Sequence, residues 1–75
     1  MPKSEFKKLS WKQLSEILIK KFWFQKRGQK WSHLKLKKWS FSTIIPQHRE
    51  IKYWTFKSVL EFANLTEKEF YSNIK

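Results

Sequence analysis

The chain of 75 residues has no cysteine, no aspartate, a single glycine (Gly28) and two prolines. Without cysteine there is neither a disulfide nor a thiolate metal site. Two histidines and six glutamates, with no aspartate, argue against a dedicated zinc or magnesium centre. One glycine is too few for a phosphate-binding glycine loop. No apolar run is long enough to span a bilayer, and no signal-peptide core is visible, so the chain reads as cytoplasmic with no membrane partner. Acidic charge is almost missing from the middle: between Glu16 and Glu50 there is no acidic residue.

What fills that interval is basic. Lys20, Lys21, Lys26, Arg27, Lys30, Lys35, Lys37, Lys38 and Arg49 all lie within it, and the formal net charge of the chain is +11. A localised positive field is the footprint of a polyanion binder, nucleic acid before a membrane surface or an acidic protein. Its plain alternative is a solvated face that aids solubility. The length corresponds to one domain, 1–75, with a small core. An aromatic share of 19% enlarges the area each residue can bury.

Residues 1–9 are polar and basic and read as a loose arm. Ser10, with Gln13 three residues on, forms a capping-box pattern that opens a helix over 11–21. Leu14, Ile17, Leu18 and Phe22 form its apolar stripe. The basic run 24–30 is the first of three short strands. Over 31–37 the pattern alternates: Ser32, Leu34 and Leu36 on one face, His33, Lys35 and Lys37 on the other. The leucines face the core, so His33 stands exposed between lysines. Residues 38–40 suit a turn and 41–45 a strand that Pro46 ends. Thr55 can cap a second helix with the stripe Phe56, Val59, Leu60 and Ala63, and Asn64 suits its left-handed end. Thr66 with Glu69 opens a short last helix carrying Phe70 and Ile74. The expected class is α+β, ordered α-β-β-β-α with a helical tail. Its antiparallel three-stranded sheet carries helices on one face, which leaves the other face for function.

His33 and His48 are the side chains whose ordinary pKa, about 6.5, lies near neutral pH. RNA is cleaved without a metal when one group takes the proton from a 2′-hydroxyl and another supplies one to the leaving oxygen; a histidine suits either step. Lys30, Lys35 and Lys37 are the candidates to hold the phosphate. Ser32 lies on the opposite strand face from His33, which argues against a serine–histidine pair. Ser32 and His48 remain as candidates to assist. Most surface histidines have no catalytic role, so this pattern alone is a weak signal, and a plain surface residue is its alternative.

Three segments taken in order are more specific than any one of them. "WSHLKLKK", "TIIPQHREIK" and "TFKSVLEFANLTEKEF" together resemble the HicA family of small mRNA-interferase toxins. That family shows a Gly-Ser-His strand, a strand ending in Pro-x-His, an Ile-Lys step and two closing helices. The likeness runs from about Leu9 to Phe70, and residues of about 10–74 form the HicA-like core. It implies a double-stranded-RNA-binding-like fold, metal-independent endoribonuclease activity without a cofactor, RNA as substrate and a HicB-type antitoxin as partner. The family's catalytic histidine falls on His33, and the histidine of Pro-x-His falls on His48. Two other readings stay open. One is a non-catalytic basic RNA-binding module of the same shape, which needs no His33. The other is a structural protein covered by a partner in a larger assembly.

One departure stands out. Trp31 precedes Ser-His, Trp23 follows the first helix and Trp54 precedes the Thr-Phe-Lys helix, all places where the family commonly carries glycine. Trp11 and Trp39, at a helix start and an expected turn, are also at home to glycine. Two explanations compete: tryptophans that stack on RNA bases, or UGA codons read as tryptophan here and as glycine by the source organism.

Overall fold

The computed structural model describes residues 8–73. Its elements are α1 (Trp11–Phe22), β1 (Gln25–Lys30), β2 (His33–Lys38), β3 (Phe41–Pro46), α2 (Tyr53–Phe62) and α3 (Glu67–Asn73). The strands form one antiparallel meander in the order β1-β2-β3. The expected α-β-β-β-α order with a helical tail is what the chain adopts. Of the last helix's expected apolar pair, Phe70 is buried and Ile74 lies outside the described residues.

The capping boxes form as the sequence implies. The Gln13 N–H donates to Ser10 Oγ at 3.2 Å and the Ser10 N–H to Gln13 Oε1 at 3.0 Å. At α3 the Glu69 N–H donates to Thr66 Oγ1 at 3.0 Å and the Thr66 N–H to Glu69 Oε1 at 2.9 Å. Each satisfies two donors that a helix start would leave orphaned. Asn64 takes the left-handed conformation at φ 60° and ends α2.

The second helix starts earlier than Thr55. Its N-cap is Lys52, extended at φ −76° and ψ 157°, with no side-chain cap. Tertiary packing overrides the local preference. Ile51 is fully buried, and its N–H donates to the Leu9 carbonyl at 2.7 Å. That bridge fixes the chain just before Lys52, so the helix begins at once. The same bridge ties down Leu9 and, through an exposed Lys8–Glu50 pair at 3.3 Å, its neighbour. The end of the expected loose arm is therefore anchored; residues 1–7 lie outside the described set.

The core lies between the helices and one sheet face. Leu34, Leu36, Thr43 and Ile45 point inward from the sheet. Leu14, Leu18 and Phe22 meet them from α1, and Phe56, Val59 and Leu60 from α2. Phe70 closes the core from α3. Its ring stacks at 6.1 Å on Phe22 and meets Phe56 edge-on at 5.1 Å, so one side chain joins all three helices. Tyr53 of α2 also reaches α3. Its hydroxyl is held above the ordinary tyrosine range by a hydrogen bond to Glu67, then by desolvation and that carboxylate's charge. Thr43 is the one buried polar residue of the inner sheet face, and its Oγ1 donates to the Val59 carbonyl at 2.9 Å. That bond pins β3 to α2.

Both hairpin turns have two residues. Lys30 pairs with His33 around Trp31 and Ser32, and Lys38 pairs with Phe41 around Trp39 and Ser40. Ser32 therefore lies in a turn and not on the inner strand face, because the chain must reverse between paired Lys30 and His33. Trp31 (φ 58°) and Trp39 (φ 56°) have positive φ, while the serines after them do not. Positive φ at the first turn position alone is the pattern of a type II′ turn, where glycine is usual. Trp23, which ends α1, is left-handed at φ 67° and ψ 23°. Such backbone costs a bulky L-residue about 1–2 kcal/mol. Three instances remove about 3–6 kcal/mol from a stability that is typically about 5–15 kcal/mol.

Phe70→Ala is expected to destabilise by about 3–5 kcal/mol, enough to unfold much of the population at ambient temperature. Thr43→Val, which keeps the shape and removes only the hydroxyl, is expected to cost about 1 kcal/mol. Urea unfolding of both variants checks the ranking; equal losses would show that Phe70 does not join the helices.

Candidate nucleic-acid interface

The outer sheet face follows from the pairing register. His33 stands opposite Lys30 on β1 and Pro46 on β3; Lys35 stands opposite Gly28 and Ile44; Lys37 stands opposite Gln25 and Ser42. Directly opposed side chains have Cβ atoms about 5 Å apart. Lys30 is thus the nearest cross-strand cation to His33, and Lys35 is its neighbour two residues along the same face. All three are exposed. The four sequence-derived residues His33, Lys30, Lys35 and Lys37 share one surface.

A bulge shapes that surface. Between Lys26, paired with Leu36, and Gly28, paired with Lys35, β1 holds one extra residue, Arg27. Past the bulge, Gly28 falls on the outer face beside Lys35, and nothing lies within 4 Å of where its Cβ would be. A shallow depression of about 500 Å³ results, lined by Gly28, Gln29, Lys30, His33, Lys35 and Ile44. Alternation alone did not expose this feature; its only trace in the sequence is the lone glycine inside a strand.

His48 lies close to the same end of the sheet, although not on a strand. The Gln47 N–H donates to the Ser32 carbonyl at 2.7 Å, which brings the segment after β3 against the turn that precedes His33. The His48 N–H closes a tight turn onto the Pro46 carbonyl at 2.8 Å, and its own carbonyl accepts from the Trp11 N–H at 3.1 Å. The His48 side chain is exposed. Ser32 contributes its backbone to this junction, which is a structural role.

Charge is uncompensated here. The ion pairs among the described residues are Lys8–Glu50 and Lys20–Glu16, both exposed and neither on a strand of the sheet. No strand of the sheet contains an acidic residue. At the far end, Trp23 and Trp39 flank Arg27, Lys37 and Lys38 around a second open depression. The Lys38 ammonium lies 4.9 Å from the Trp39 ring centroid. Among the described residues, no three histidine, cysteine, aspartate or glutamate side chains converge, and no helix is long and apolar enough to cross a membrane.

No family model, curated protein or solved structure matches the chain. The geometry of the site therefore carries the functional argument.

Binding of a polyanion to a basic face releases counterions and so depends on salt. Lys35→Gln is expected to weaken binding of single-stranded RNA of any sequence and to lower the slope of log K against log salt by about 0.7. A filter-binding series in increasing salt measures the slope. An unchanged slope would remove Lys35 from the phosphate contacts.

Proposed function

We propose that the protein is a HicA-like toxin: a metal-independent endoribonuclease of double-stranded-RNA-binding-like fold. It would act on mRNA in the cytoplasm and be neutralised by a HicB-type antitoxin. The observation that carries this reading is the setting of His33. It is exposed on a sheet face without acids, opposite Lys30 and beside Lys35, over an open floor at Gly28. A backbone phosphate held by Lys30 and Lys35 would bring a ribose to the imidazole.

The chemistry needs only groups of this chain and the RNA. Neutral His33 accepts the 2′-hydroxyl proton as the 2′-oxygen attacks the adjacent phosphorus. The O2′–P bond forms and the P–O5′ bond breaks, leaving a 2′,3′-cyclic phosphate. The 5′-oxygen leaves with a proton from an acid; His48, Lys30 or water are the sources at this end of the sheet. Lys30, Lys35 and Lys37 offset the charge that builds on the phosphoryl oxygens. The high net charge favours an acidic partner surface, which fits an antitoxin that covers the basic face.

His33→Ala is expected to abolish cleavage of a long unstructured RNA in EDTA, while RNA binding and the thermal midpoint stay within error. An RNA whose 2′-hydroxyls are methylated is expected to bind and resist cleavage. Cleavage retained by His33→Ala would refute the assignment. Binding by the native chain without turnover would leave a non-catalytic RNA-binding module.

A further inference from the structure

Four described residues other than glycine have positive φ: Trp23, Trp31, Trp39 and Asn64. Asparagine is the ordinary non-glycine occupant of that region, and tryptophan is not. Only a few per cent of non-glycine residues have positive φ, so three of five tryptophans there would coincide by chance on the order of once in a thousand. The chain's true glycine is not among them, since Gly28 has no positive φ. The backbone thus asks for glycine at three places and finds tryptophan at each.

None of the three side chains is buried, and the one contact found for them among the described residues is the Lys38 ammonium over the Trp39 ring, an exposed interaction available without positive φ. Trp23, Trp31 and Trp39 are 75%, 87% and 79% exposed. None belongs to the core cluster. Each marks a punctuation point: the end of α1, the β1–β2 turn and the β2–β3 turn. These are the sites where glycine is enriched, at helix C-termini and at the first position of type II′ turns. The other two tryptophans differ. Trp11 and Trp54 lie in the first turns of α1 and α2, without positive φ.

We propose that positions 23, 31 and 39 are glycine in the protein its own cells make, the tryptophans being UGA codons that those cells decode as glycine. Trp11 and Trp54 follow if their codons are also UGA. The consequence reaches the outer sheet face. A glycine at position 31 removes a large indole from the turn directly before His33. Glycines at 23 and 39 open the depression around Arg27, Lys37 and Lys38. The competing explanation, that these tryptophans stack on bases, needs them retained.

The inference does not depend on the ribonuclease reading, because its readouts are stability and mass. In the chain as written, Trp23→Gly, Trp31→Gly and Trp39→Gly are each compared with alanine at the same position. Alanine removes the indole and keeps the penalty of positive φ; glycine removes both. Each glycine variant is expected to melt about 5 °C above its alanine counterpart. At Trp54, where φ is ordinary, alanine is expected to equal or exceed glycine. Alanine equal to or above glycine at 23, 31 and 39 would overturn the proposal. Peptide mass spectrometry of the protein from its own cells decides independently: glycine at the three positions is expected, and tryptophan, encoded by UGG, ends the idea.

Discussion

The register at two short turns controls everything else in this fold. In a sheet with one buried face, sliding a strand by one residue exchanges its two sets of side chains. With Lys30 against His33 and Lys38 against Phe41, Leu34 and Leu36 must enter the core, and His33, Lys35 and Lys37 must leave it. A shift of one would bury two lysines and a histidine and expose two leucines, which the core of so small a domain could not offset. The burial that holds the sheet to the helices is thus also what presents the basic face. Thr43 adds a second lock, since its hydroxyl reaches the Val59 carbonyl only from the inner face.

That basic face is a cost the fold carries. Unpaired lysines side by side repel one another, and the surface ion pairs present elsewhere contribute little. The aromatic core answers it. Phe70, wedged between Phe22 and Phe56, concentrates much of the apolar burial at one junction. A face that gains nothing for the free protein is what the proposed RNA contact would explain.

Much of this was legible in residue order because each signal was local. Ser10 with Gln13, and Thr66 with Glu69, close boxes that need only four residues. Leu34 and Leu36 alternate with Lys35 and Lys37 within one strand. Asn64 ends a helix by its own tolerance of positive φ. What escaped was non-local. Thr55 is a good cap by type, but Ile51 and Leu9 meet across the chain and start the helix at Tyr53. Ser32 fits the alternation, yet the pairing of Lys30 with His33 takes it into the turn. The Arg27 bulge is invisible until β1 is laid against β2, although it decides that Gly28 lies under the site. The convergence of His48 on the His33 end depends on a backbone bond between Gln47 and Ser32, which no motif announces.

The turns that set the register are also the places where residue type and backbone disagree. This is a conflict between levels that otherwise agree: patterning, capping, packing and strand order all lead to the same fold, and natural sequences are locally consistent with their structures. Conflicts are ordinarily found where function has use for strain. Trp31 is next to the candidate catalytic residue and would qualify, but Trp23 ends a helix and Trp39 lies at the opposite end of β2 from His33. Trp23 and Trp39 share the depression around Arg27, Lys37 and Lys38, but Trp31 lies at the other end of β2, so no single site joins all three. The common factor is the residue type, not the location. A shared cause at the level of the codon accounts for all three at once, whereas a functional cause would have to be found separately at each end of the sheet.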